Sequence, residues 1–139
     1  MIELVPLYEA TLTLAPPIDA GMTPTGQLLV VEATGARLRG RLSGSLAGSS
    51  SADWVTITPG GFGLLDVRFA IRTDDDALVF ATYSGRIHLV PGSGFVAYVA
   101  PTFTTGDPRY AWINEIQAVG KGVLSEDLMT LTEDVYEIS

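Results

Sequence analysis

The run Leu64 to Asp76, LLDVRFAIRTDDD, holds the chain's most suggestive set of reactive side chains. Successive side chains of a strand alternate faces, so Asp66, Arg68, Ala70 and Arg72 share one side and Leu65, Val67, Phe69 and Ile71 the other. A carboxylate and a guanidinium two residues apart can pair, and a buried pair needs further hydrogen bonds from groups such as tyrosine or asparagine. In an aromatic pocket, Asp66 would accept a proton, Arg68 would hold a carboxylate or enolate oxygen, and Tyr110 would donate a hydrogen bond. Arg72 on the same face, with Trp54, Tyr83, Trp112 and Asn114 carried on other segments, would complete the ligand-binding wall. The usual apolar-in sense of an alternating strand gives the opposite arrangement, with Asp66 and Arg68 as an outside ion pair.

Other chemistries lack the residues they need. The absence of cysteine removes disulfides, thiolate metal sites and a thiol nucleophile. His88 is the one histidine, which leaves nucleophile triads and histidine metal centres short of ligands and bases. Asp74, Asp75 and Asp76 have neither the spaced ligands nor the closing Glu of a calcium loop, and read as an acidic β-turn. GSLAGSSSAD, from Gly44, lacks the GKS/T ending of a phosphate cradle and reads as a mobile loop. Any reaction is therefore expected to need no metal and no cofactor.

A chain of 139 residues suits one domain, residues 1–139, with a single core. The net charge of −8 and the scattered basic residues argue against nucleic acid as a partner. The N-terminus MIELVPLYEATL has no signal-peptide pattern and no run approaches a membrane span, so a cytoplasmic protein without membrane contact is expected.

The elements that must position these residues are strands. Residues 2–14 alternate cleanly, with Pro6 marking a bulge or edge. A Pro/Gly-rich connection follows, then strands over Gln27–Thr34 and Gly35–Leu42, the latter with Arg37, Arg39 and Arg41 on one face. That face reads as a solvated wall screened by acids, or else as an anion-binding rim. A short strand runs from Asp53 to Thr58. Further strands are expected over Ala77–His88, with Gly85 as a possible bulge, over Phe95–Thr102, over Arg109–Val119, and near the C-terminus, where Leu124–Leu131 could hold one helical turn. About eight to ten short strands separated by Gly and Pro, with no helical period, fit an all-β barrel or sandwich, of which the single antiparallel barrel, having no exposed edges, is the expectation.

LVPLYEATLTLAPPIDAG near the start, SADW at 51–54, LLDVRFAIRTDD at 64–75, PTFTTGDPRYAWIN at 101–114 and DVYEI near the end resemble, in combination, the bacterial domain-of-unknown-function 3237 family. The resemblance spans nearly the whole chain. It implies a small antiparallel barrel, calycin-like or allene-oxide-cyclase-like, in a family largely without an assigned reaction. Asp53, Trp54, Asp66, Arg68, Asp74, Arg86, Arg109, Tyr110, Trp112 and Asn114 match the family's polar and aromatic positions, which adds Arg86 to the expected ligand contacts. The short connection from Arg86 to Phe95 departs from the family pattern and implies a more open barrel mouth.

Two expectations follow. In the first, the barrel binds a small aromatic or oxo/carboxylate compound and acts as a cofactor-free isomerase, cyclase or lyase through Asp66, Arg68 and Tyr110. In the second it is a non-catalytic module with a fully packed interior, whose face 65/67/69/71 serves self-association. A homo-oligomer, dimer or larger, is expected in either case.

Overall fold

Eight antiparallel strands close into a ring in the computed structural model, which describes residues 1–139. In chain order the strands are β1 (Leu4–Leu14), β2 (Ile18–Thr23), β3 (Gly26–Gly40), β4 (Gly44–Leu46), β5 (Ala52–Ile57), β6 (Gly63–Thr73), β7 (Leu78–Val90), β8 (Gly94–Val99), β9 (Thr102–Thr104), β10 (Ala118–Leu124) and β11 (Thr130–Ile138). The ring runs β1, β3, β5, β6, β7, β8, β10, β11 and back to β1. Closure leaves none of these eight with an unpaired edge along its full length. The short strands decorate the ends: β2 pairs with β3, β4 bridges β3 and β6, and β9 pairs with β7.

Alternation decides what faces inward. In β6, Leu65, Val67, Phe69 and Ile71 are buried while Asp66, Arg68 and Arg72 are exposed. The apolar face is thus the inner wall of the barrel, and is not free to serve as a subunit interface. In β1 the register slips between Pro6 and Tyr8, as the proline suggested, so that Leu7 and Tyr8 are both buried before Ala10 and Leu12 resume the alternation. The triple-arginine face is an outer wall screened by acids: Arg37 binds Asp74 through two hydrogen bonds of 2.7 Å, and Arg41 reaches Glu137 at 3.1 Å.

Several expected boundaries move. The two strands expected over residues 27–42 are one fifteen-residue strand, β3. The Ser/Gly-rich stretch is anchored, because β4 lies within it and the buried Ser51 accepts a hydrogen bond from the Ala70 N–H at 2.9 Å. Gly85 marks no bulge: β7 pairs without interruption, and glycine is required there because a Cβ would lie 2.1 Å from the Tyr98 carbonyl oxygen. Residues 125–129 form a turn and contain no helix.

The largest correction concerns RYAWIN. Pro108–Glu115 is a 3₁₀ helix where a strand was expected. Asp107 caps it, accepting from the Arg109 N–H at 2.9 Å, and Pro108 supplies a preset φ with no amide to satisfy. Its Ile113 is fully buried, and together with Ile71, Val79 and Phe103 belongs to the continuous core. The helix is fastened to the turn after β6 by polar bonds. Tyr110 donates to Asp75 at 2.8 Å and Arg109 to the Asp75 carbonyl at 2.8 Å, while Asn114 exchanges hydrogen bonds with the Thr105 backbone at 2.7 and 3.0 Å. This end of the barrel is closed.

Candidate functional site

Toward the other end the interior is not filled. A cavity of about 260 Å³ is lined by 25 residues, 20 of them hydrophobic, so the expectation of an interior packed throughout does not hold. Its rim includes Leu14, Ile57, Leu89, Phe95, Leu124 and Leu128, and the turn joining β7 to β8 lies at this end. Its lower wall is formed by Val67, Phe69 and Tyr83, below which the packed core begins.

Two carboxyl groups enter this apolar space, Asp53 from β5 and Glu133 from β11. Both are placed by parity. Asp53 shares a face with Val55 and Ile57, and Glu133 shares one with Leu131 and Val135. Asp53 lies four residues below the rim residue Ile57, about 13 Å along the strand. Between the pairs Asp53–Val67 and Thr56–Leu64 the β5–β6 ladder is interrupted, and the Asp66 N–H donates to Asp53 Oδ1 at 3.0 Å in place of a ladder bond. Glu133 is only 5% exposed and lies opposite Gly122 of β10. A Cβ at Gly122 would come within 3.1 Å of the Glu133 Cγ and 3.2 Å of Leu131 Cδ1, so glycine makes the room this side chain occupies.

Burial sets the electrostatics. Loss of hydration pushes Asp53 up to about 6, the Asp66 charge adds to the rise, and the Asp66 N–H opposes it. Loss of hydration and then the Asp53 charge push Glu133 up to about 7, and the nearby Tyr83 hydroxyl draws it partly back. Tyr83 is driven well above the ordinary phenol value by burial first and the Glu133 charge second, and Tyr8 is raised for the same two reasons. No lysine, arginine or histidine lines the cavity. Two acids and a phenol thus face an apolar space without a counter-ion, an arrangement that raises carboxyl titrations toward neutral pH.

The residues singled out by the sequence are distributed differently from the expectation. Tyr83 lines the cavity. Asp66, Arg68 and Arg72 are on the outer wall, since the inward positions of β6 are taken by the apolar residues of opposite parity. Asp66 reaches Asp53 through its backbone N–H and, from outside the wall, through its charge, and Arg72 pairs with Asp76 at 2.8 Å. Trp54, neighbour of Asp53, points outward and is 56% exposed. Arg86 is exposed and bonds the Gly85 carbonyl. Tyr110, Trp112 and Asn114 belong to the closed end, where the Arg41 guanidinium lies 4.7 Å from the Trp112 ring centre. Of the three expected catalytic residues, then, none has its side chain in the cavity. Glu133 was missed. Its signal was an acid between Leu131 and Val135 on one strand face, beside the Gly-x-Gly of Gly120 and Gly122. Among groups of His, Cys, Asp and Glu, none is arranged to hold a metal ion, and no helix is long and apolar enough to cross a membrane.

Known proteins share this architecture. A protein from Acinetobacter baumannii described as beta-barrel like superposes with a TM-score of 0.91 at 25% identity, covering 100% of this chain and 97% of the other. An enzyme from Penicillium herquei superposes with a TM-score of 0.74 at 23% identity, covering 100% and 94%, a likeness of fold. The UPF0311 protein of Rhodopseudomonas palustris is 25% identical over 99% of this chain and 97% of its own length. The family model described as "Protein of unknown function (DUF3237)" matches residues 2–138. With that match spanning every strand of the barrel, the chain belongs to the DUF3237 family.

Proposed function

We propose that the barrel binds a small organic molecule in its interior and moves a proton on it by general acid–base catalysis, in a cofactor-free isomerisation, cyclisation or elimination. The observation that carries this reading is the pair of cavity carboxyls, Asp53 held at about 6 and Glu133 at about 7, beside Tyr83 in an apolar space open at one end. Paired acids whose environments separate their titrations can divide the roles of base and acid. Near neutral pH, ionised Asp53 takes a proton from a carbon next to a carbonyl. Glu133 in its protonated form, or the Tyr83 hydroxyl, donates to the oxygen on which the electron pair accumulates. In an isomerisation Asp53 returns the proton to a different carbon while the enol oxygen gives its proton back to Glu133 or Tyr83. In an elimination the electron pair expels a group on the β-carbon, which leaves with the proton from Glu133. In a cyclisation Asp53 takes its proton instead from a neighbouring hydroxyl, whose oxygen adds to the β-carbon of a conjugated carbonyl as Glu133 protonates the carbonyl oxygen. The apolar walls favour this by excluding water from the charge that develops.

Exchange of the α-hydrogens of α-tetralone for deuterium, followed by NMR, tests the reading. The protein should accelerate exchange, and D53N and E133Q should each slow it by about 10²-fold. D66A and R68A, altered on the outer wall, should leave it within about twofold. Exchange indifferent to both interior substitutions would overturn the proposal.

A further inference from the structure

We infer that the cavity selects an uncharged, largely hydrocarbon molecule bearing a carbonyl or hydroxyl oxygen, bound with that oxygen innermost, and rejects carboxylates. This rests on the reading of the interior as the binding site and specifies what enters it.

Charge carries the first part. The only ionisable residues that line the space apart from Tyr83 are Asp53 and Glu133, and no cation accompanies them. A carboxylate ligand would bring a further negative charge into a region of low dielectric with nothing to pair it. An ammonium would meet an acid but would surrender its hydration among walls that are hydrophobic at 20 of 25 positions. An uncharged oxygen needs a single donor, which Tyr83 or protonated Glu133 supplies. The net charge of −8 adds a weaker, longer-range bias against anions.

Orientation follows from how polarity is ordered along the barrel. Leu14, Leu89, Phe95 and Leu128 form the mouth, whereas Tyr83 lies six residues below Leu89 on β7, about 20 Å along that strand. Asp53 is likewise below Ile57 on β5. The hydrogen-bonding groups are thus deep and the rim offers only hydrocarbon, so an oxygen left at the mouth would lose its partners while the ligand's apolar part faced the acids. The outer-wall guanidiniums that could have held a carboxylate, Arg68 and Arg72, are separated from the cavity by the wall itself.

Calorimetric titration with three ligands of one scaffold, α-tetralone, tetralin carboxylate and aminotetralin, tests the inference at about pH 6.5, between the two interior titrations. α-Tetralone should bind at least about tenfold more tightly than either charged analogue. In the D53N/E133Q double variant, which removes both interior charges, the affinity of the carboxylate relative to the ketone should rise by at least about fivefold. A carboxylate or amine that binds the native protein as well as the ketone would overturn the inference, as would binding of none of the three. Ketone binding without deuterium exchange would instead overturn the proton-transfer reading and leave the selectivity standing.

Discussion

The barrel carries two clusters of aspartate, tyrosine and their partners, one at the closed end and one inside, and they are chemically opposite. At the closed end Asp75 receives hydrogen bonds from the Thr73 hydroxyl at 2.6 Å and from Tyr110 at 2.8 Å, with Arg109 alongside. Asp107 is held by Arg109 at 2.8 Å. Both acids are drawn below the ordinary carboxylate range, Asp75 chiefly by Thr73 and then Tyr110, Asp107 chiefly by Arg109. In the cavity the acids have no cation and are pushed upward by burial. Residue type is similar in the two places; solvation and counter-charge decide that one cluster is a fastening and the other a set of groups able to exchange protons near neutrality.

The contrast is broken most strongly at Glu133. Its carboxyl is raised from 4.5 to about 7 by folding, so the native state binds more protons than the unfolded chain between those values. Stability should therefore be fully present below about pH 4.5, fall as pH rises toward 7, and level off above it; Asp53, raised from 3.8 to about 6, adds a decline in the same direction over its own window. E133Q should remove about half of the combined decline, the part that extends from about pH 6 to 7 above all, and stabilise the protein at pH 8 by on the order of 2 to 3 kcal/mol, measured by urea denaturation across pH. Asp75 and Asp107 have the reverse sign, since their lowered titration contributes stability above the ordinary carboxylate range that is lost on acidification. D75N should thus cause a small loss of stability at neutral pH and none of the Glu133 behaviour.

A smaller effect is expected at Tyr110. Removing its hydroxyl in Y110F deletes the 2.8 Å bond to Asp75, which should lower stability by about 1 kcal/mol and leave ligand affinity unchanged. The smallest effect belongs to Leu128, a non-glycine residue at φ 65° in the turn between β10 and β11, where its side chain lines the cavity mouth. L128G relieves a left-handed backbone but adds freedom to the unfolded chain, so stability should stay within about 0.5 kcal/mol. The measurable change should be faster ligand release, read by stopped-flow dilution.

Much of this molecule was legible in its sequence. Alternation in LLDVRFAIRT, the proline in β1 and the glycine-punctuated short strands lead to an antiparallel barrel on elementary grounds. RYAWIN reads as part of a strand because Tyr110, Trp112, Asn114 and Ile116 fall on one face at a spacing of two. The signals that override this alternation lie just before it, where Asp107 caps a helix and Pro108 presets its first φ. The site was obscured for a related reason. A run with three charges on one face attracts attention, whereas Asp53 and Glu133 are single acids embedded in the apolar faces of their strands. Only closure of the ring, which sets β5 and β11 on opposite sides of one cavity, brings them together with Tyr83. Parity tells which face a residue shares, and long-range pairing tells what that face looks upon.

The central claim is that the interior acids, and not the Asp66/Arg68 wall, form the reactive site. Its most direct test is titration of the side-chain carboxyls by carbon-13 NMR, with D53N and E133Q used for assignment. The account predicts midpoints near 6 for Asp53 and near 7 for Glu133, each shifted when the other is replaced. Midpoints for both groups in the ordinary range near 4 would mean that the cavity is wet or the acids point elsewhere, and would contradict it.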